Sequence, residues 1–186
     1  DQLTLSQPGG DRLCPPITMT PPDFQTSCGP EMQECMWCNI KPTRPYFHLK
    51  PLKWSNKLEK YAKKYADYLA SKDVFLHSKN LRRLKQGENL YTTMYYVIDD
   101  NGEKYFFDQT NYLLDASISW LDEKNDYTYA KIGNRKNNFS KIGHYTQMIW
   151  SDTNEIGIAY SKSKSGNVYV VARYFPQGNW TGEYPY

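Results

Sequence analysis

A chain of 186 residues that is 39% hydrophobic and 23% charged has enough apolar side chain for one packed domain and too little length for two. Its 23 Lys and Arg against 20 Asp and Glu leave a formal charge of +3, so no strong field draws it to nucleic acid or to an acidic membrane surface. No apolar run reaches the roughly 18 residues of a membrane-spanning helix, so no transmembrane segment is expected.

Residues 1 to about 51 hold nine of the 11 prolines, including Pro15-Pro16 and Pro21-Pro22, which leaves room for little more than a short helix at Glu31–Asn39. All four cysteines, Cys14, Cys28, Cys35 and Cys38, lie in this stretch. An even number of cysteines in a Pro-rich segment reads as two disulfides, with three connectivities open. The spacing in Cys35-Met36-Trp37-Cys38 is also that of redox motifs and zinc knuckles, but neither the βαβ context nor a matching downstream pair is present. Residues 1–45 are therefore expected to be a disulfide-stapled N-terminal arm and residues 46–186 the folded domain. Two sequons, at Asn138 and Asn179, point with the cysteines to a secreted glycoprotein. The start at Asp1, without Met or an apolar leader, is what a processed secretory chain would show.

From Ser55 to Ser71, Leu58, Tyr61, Ala62, Tyr65, Ala66 and Leu69 recur at three and four, which predicts a helix facing a core. Tyr91 to Phe107 is aromatic and β-branched and is broken by Asp99-Asp100-Asn101-Gly102, which predicts a two-stranded insertion. A second helix is expected over Gln109–Glu123, with Leu113, Leu114, Ser117, Ile118, Trp120 and Leu121 as its buried stripe. Trp120 and Glu123 are three apart, so they share a side and the carboxylate sits at the rim of that face. Glu155–Tyr160 and Val168–Tyr174 flank Ser163-Lys164-Ser165-Gly166 and predict a second hairpin that supplies the sheet.

Gly143-His144-Tyr145-Thr146-Gln147-Met148-Ile149-Trp150-Ser151-Asp152-Thr153 resembles the first signature of the CAP superfamily, the cysteine-rich secretory, antigen 5 and pathogenesis-related-1 proteins. Val170 to Trp180 is similar to the second signature, with Ala172 where most secreted members have Cys. Gly87-Glu88-Asn89-Leu90 and Trp120-Leu121-Asp122-Glu123 resemble two shorter family motifs, and the whole likeness covers about residues 50 to 182. In style the chain is closest to helminth venom-allergen-like proteins. The resemblance implies an α+β fold, a three-layer α-β-α sandwich with a small, mostly antiparallel sheet. It also implies a central cleft lined by His77, Glu88, Glu123 and His144.

Three readings of that tetrad stand side by side: a hydrogen-bonded network that satisfies itself, a weak site for a divalent metal such as zinc, and a general acid–base pair. A covalent hydrolase would need a nucleophile, and Ser78 sits in no diagnostic context for one. Several members of the family bind sterols through an aromatic loop or fatty acids between helices. The matching loop here is Tyr127 to Phe139, with Tyr127, Tyr129, Ile132 and Phe139 as candidate lipid contacts. Such side chains also commonly pack back on their own domain. The expectation is a secreted, non-catalytic protein that binds a sterol or fatty acid. The alternatives are an extracellular interaction protein engaging receptors or plasma components, and a metal-assisted or Ser-His-Glu hydrolase.

Overall fold

The computed structural model describes residues 49–107 and 111–186. The expected arm of residues 1–45, its cysteines and the helix at Glu31–Asn39 lie outside the described residues.

Four strands form the main sheet in the order β1-β5-β6-β2. Strand β1 (Lys53–Trp54) runs parallel to β5 (Glu155–Lys162), while β6 (Asn167–Phe175) pairs antiparallel with both β5 and β2 (Gly87–Met94). The sheet is mostly antiparallel, as expected. Strand β6 is central, and every residue from Val168 to Tyr174 is buried, because both of its faces are covered.

Helix α1 (Asn56–Lys72) covers one face. Its buried residues Leu58, Ala62, Ala66 and Leu69 keep the predicted spacing, and three of them pack with Leu90, Ala159, Tyr169 and Val171. Burying Leu58 and Leu69 stabilises by roughly 1.5–3 kcal/mol each. The small Ala62 and Ala66 let the helix lie close to the sheet, and Gly157 completes the fit: a Cβ there would lie 2.1 Å from the backbone nitrogen of Glu59. Asp73, at φ 53°, ends the helix in the left-handed region by donating its N–H to Leu69 O. After it comes the single turn α2 (Leu81–Leu84).

Helix α3 (Tyr112–Asp122) and the short α4 (Gly143–Met148) cover the opposite face. Tyr112, Leu113, Ala116, Trp120 and Met148 pack against Ile156, Ile158, Val168, Val170, Ala172 and Tyr174. Helix on sheet on helix is thus the layering found. The predicted α3 stripe needs correction, because Ile118 is 43% exposed and Leu114 and Leu121 are only half-buried, whereas Tyr112 and Ala116 are buried. A rotation of one position about the axis selects these residues. Asn111 starts the helix by accepting a hydrogen bond from Leu114 N at 3.0 Å.

The insertion is smaller than expected. Only β3 (Tyr96–Ile98) and β4 (Lys104–Phe106) form the separate hairpin; Tyr91 to Met94 belong to β2, whose ladder with β6 runs unbroken from Gly87 to Met94. The chain turns off the sheet at Tyr95, where Tyr95 N donates to Gly166 O and Phe107 N donates to Tyr95 O.

Candidate functional site: two histidine–carboxylate pairs at an edge strand

Strand β2 opens with Gly87-Glu88-Asn89-Leu90, all buried. A side chain at Gly87 would put its Cβ 2.0 Å from Gln147 Oε1, so the strand and α4 meet closely here. Alternation along the strand then sends Glu88 and Asn89 to opposite faces.

The Glu88 carboxylate is shut away on the α1 side. Its Oε1 lies 2.7 Å from His77 Nδ1 and accepts the Ser78 N–H at 3.0 Å. Arg173, its cross-strand partner, brings Nη2 to 2.9 Å from Oε2. That contact is an ion pair off the line of a hydrogen bond, and Oε2 and Arg173 Nε are both left without an aligned partner. Arg173 also donates from Nη1 to Gln86 Oε1 at 3.1 Å, and its guanidinium lies 5.2 Å from the centre of the Tyr65 ring. Burial lowers the Arg173 pKa, and the charges of Glu88 and Tyr65 oppose that shift. Tyr65 is pushed up to about 12, first by burial and then by the Glu88 charge. A buried ion costs several kcal/mol unless paired, so the Glu88 and Arg173 charges depend on each other.

On the other side, α3 passes into a 3₁₀ turn, Glu123–Asp126, that aims Glu123 at the start of α4. Glu123 Oε2 accepts the N–H groups of His144 at 2.8 Å and Tyr145 at 2.9 Å, while Oε1 lies 2.6 Å from His144 Nδ1. The N-cap of α4, Ile142, has no side-chain acceptor, and Glu123 fills that role from another helix. Trp120 stacks on the imidazole with ring centroids 6.1 Å apart and donates its indole N–H to Leu90 O. Trp120 near the end of α3 and Glu123 in the turn after it thus both reach His144, on one side as their spacing predicts.

Asn89 links the two halves. Its amide donates to His144 O and to the Tyr174 hydroxyl, both at 3.1 Å. The structure therefore places the four sequence-predicted residues as two pairs, His77 with Glu88 and Glu123 with His144. Among the described residues, no group of three or more His, Cys, Asp or Glu is arranged to hold a metal ion.

That geometry bears on zinc. Each carboxylate is already engaged by an imidazole and by backbone N–H groups, and each imidazole gives its Nδ1 to that carboxylate. The neutral rings would then carry their protons on Nδ1 and offer Nε2, with the carboxylates orienting them from behind. Two imidazole nitrogens fall short of the three or four protein ligands of an ordinary zinc site. The donor set does not fit a closed, tight site.

Ser78 gives its backbone N–H to Glu88 Oε1, and its hydroxyl accepts from Asn80 N at 3.4 Å. In the loop, Ile132 is buried with Ile142 and Trp150, and Tyr127 packs on Tyr145 at 5.5 Å. Tyr129 and Phe139 are 52% and 49% exposed. Tyr129 stacks on Tyr184 at 4.9 Å and touches Tyr186 at 5.1 Å, while Lys131 Nζ lies 5.6 Å from the Tyr184 ring centre. An open groove of about 1040 Å³ lies elsewhere, between α1 and the β5–β6 turn, lined by Lys63, Asp67, Asp73, Ser161 and Lys164 among others. Its carboxylates are already engaged, Glu59 by Trp54, Asp67 by Lys63 and Ser161, Asp73 by Ser165, Asn167 and Tyr169.

Sequence reasoning gave no role to Arg173, Asn89 and Gln147, which lie within the quoted motifs, and did not single out Gln86. Gln147 accepts the Gly178 N–H at 3.0 Å and donates to Thr153 at 3.1 Å, tying α4 to the segment after β6. Arg173 had a signal: a charged residue inside the most hydrophobic strand wants a buried partner.

The chain and its fold both match a known family. The chain matches "CAP: Cysteine-rich secretory protein family" over residues 40–174, and it belongs to that family. It is 32% identical over 133 residues to the human Golgi-associated plant pathogenesis-related protein 1, covering 72% of this chain and 75% of that one. It is 33% identical over 151 residues to venom allergen 5 of Dolichovespula arenaria, covering 78% of this chain and 66% of the wasp protein. Among solved structures, NaASP2 with Zn2+ superposes with a TM-score of 0.66 at 24% identity, over 85% of this chain and 86% of that one. BmVAL-1 superposes with a TM-score of 0.67 at 23% identity, over 86% and 83%. Both share the fold.

Proposed function

We propose that this is a secreted, non-catalytic CAP protein that binds a sterol or other lipid. The observation that carries the reading is the exposure of aromatic rings in the loop of residues 127–139: Tyr129, stacked on Tyr184, and Phe139 are both about half exposed. Lys131 beside Tyr184 supplies a polar edge. Flat rings with polar tips suit a rigid, mostly apolar ligand with one hydroxyl or carboxylate. Tyr127 and Ile132 then serve as the loop's anchors rather than as contacts. The engagement of each carboxylate by an imidazole and by backbone N–H supports a non-catalytic role for the two pairs. A divalent cation would be held weakly, through Nε2 of His77 and His144, as the donor set allows. Family relatives named as venom allergens and a salivary antigen favour secretion.

Delipidated protein incubated with labelled cholesterol and labelled palmitate at micromolar concentration tests the proposal. It should retain one of them, and a Tyr129→Ala, Phe139→Ala variant should bind about tenfold more weakly, equivalent to about 1.4 kcal/mol. Retention of neither lipid by the parent protein would overturn it.

A second reading rests on a different surface. On the β3–β4 hairpin, Ile98, Tyr105, Phe106 and Phe107 are exposed, with Phe106 at 68%, and Asp99, Asp100 and Glu103 surround the turn. An apolar ribbon with an acidic tip suits a partner protein better than an acidic membrane surface. Replacing Tyr105 and Phe106 by Ser should abolish capture of extracellular partners while leaving lipid uptake intact.

A further inference from the structure

The two sequons sit in opposite structural situations. Asn138 is exposed and forms the N-cap of the 3₁₀ turn Phe139–Lys141. Both of its hydrogen bonds fall on the carboxamide oxygen: Oδ1 accepts Ser140 N–H at 3.1 Å and the Ser140 hydroxyl at 2.8 Å. Neither uses the amide nitrogen that a sugar would occupy. Its neighbours Arg135, Lys136, Phe139 and Ser140 are exposed too.

Asn179 is half-buried and uses both ends of its amide. Its Nδ2 donates to Gly143 O at 2.8 Å, and its Oδ1 accepts the hydroxyl of the buried Thr146 at 2.7 Å. The backbone is left-handed at φ 58°, which Asn tolerates better than most residues. Just before it, a Cβ at Gly178 would lie 2.5 Å from the Trp150 ring. Just after it, Gly182 N donates to Ile132 O. Asn179 is therefore a clasp that closes the segment after β6 onto the first turn of α4, the turn that carries His144.

We infer that Asn138 is an N-glycosylation site in the folded, secreted protein and that Asn179 is not modified there, its sequon being a clasp written in the same letters. This rests on the secreted reading. In the reaction, Asn138 Nδ2 forms a bond to the anomeric carbon of a lipid-pyrophosphate-linked oligosaccharide. The bond from that carbon to the pyrophosphate oxygen breaks, the lipid pyrophosphate leaves with the electron pair, and the amide nitrogen loses one proton. Transfer to Asn179 before folding would leave the amide nitrogen one N–H and place a bulky sugar at a half-buried site 2.8 Å from Gly143 O, and a chain so modified is hindered from closing the clasp.

The test is expression with an appended leader in eukaryotic cells, followed by peptide mapping after enzymatic deglycosylation in heavy-oxygen water. Because the leader is supplied, the result is independent of whether the natural chain is secreted. Secreted protein should carry the isotope label at Asn138 and none at Asn179. Ser140→Ala should abolish the glycan-dependent mobility shift. Thr181→Val removes the second sequon without touching the clasp and should leave mobility and yield unchanged. Asn179→Ala should keep the shift but lower secreted yield several-fold. Label at Asn179 in secreted protein, or no label at Asn138, would overturn the inference.

Discussion

Arg173 and Glu88 face each other across the β2–β6 ladder, 2.9 Å apart and both closed off from solvent. Glu88 in turn holds His77, so the packing of the sheet and the geometry of the site share one ion pair. Removing one member of such a pair leaves the other charge buried and uncompensated. Arg173→Met should lower unfolding free energy by roughly 3–5 kcal/mol in a urea titration. Adding Glu88→Gln should cost less than the sum of the single changes, because the lone charge is then gone. A neutral Arg173→Met would show that the pair carries no stability.

Glu123 caps α4 from outside that helix. Glu123→Ala leaves the N–H groups of His144 and Tyr145 without their acceptor and should cost about 1–2 kcal/mol by thermal melt. Glu123→Gln keeps an acceptor oxygen and should recover most of that loss. In the Ala variant the His144 ring resonances should also broaden or shift in proton NMR, while those of His77 stay put.

Two glycines allow close approaches of different kinds. At Gly157 a Cβ would meet the backbone of α1, with Glu59 N at 2.1 Å and Leu58 C at 2.6 Å, and the helix must move as a unit to relieve it. At Gly87 the obstacle is the end of the Gln147 side chain. Gly157→Ala should therefore be the more damaging, at the upper end of the roughly 1–3 kcal/mol typical of overpacking, and Gly87→Ala the milder. Equal losses in melting experiments would contradict this ranking.

Asp73 joins the end of α1 to the β5–β6 hairpin. Its carboxylate accepts from Ser165 at 2.5 Å, Asn167 at 3.1 Å and Tyr169 at 2.7 Å, and these bonds, led by that of Ser165, hold its pKa well below the ordinary carboxylate range. A depressed folded-state pKa means that its contribution is whole above the unfolded value, about 3.9, and fades as pH falls toward the folded one. The gap in melting temperature between the parent and Asp73→Ala should be constant from neutral pH down to about 5 and narrow below about 4. A gap that widens in acid would refute the assignment.

Local pattern carried much of this molecule. The spacing of Leu58, Ala62, Ala66 and Leu69 marks α1, Ser163 to Gly166 marks the hairpin of the sheet, and Trp120 with Glu123 marks one face of α3, because periodicity and turn chemistry act over a few residues. The family motifs named Glu88, Glu123 and His144, and the resemblance as a whole added His77. Their pairing into two separate histidine–carboxylate units was not written in any motif. It follows from strand alternation at β2, which turns Glu88 toward Arg173 and α1 and Asn89 toward His144 and Tyr174.

The contacts that decide the rest join residues far apart in the chain. Arg173 reads as an anomaly in a hydrophobic strand until Glu88, Gln86 and Tyr65 are seen around it. Asn138 and Asn179 both carry sequons, and the fold separates them, since Gly143 and Thr146 come to one amide and not to the other. Short-range pattern reports which residues lie along an element and on which side. Which polar groups lose water together is set when helices and sheet close over them, and the cost of leaving such a group unpaired is what selects its partners.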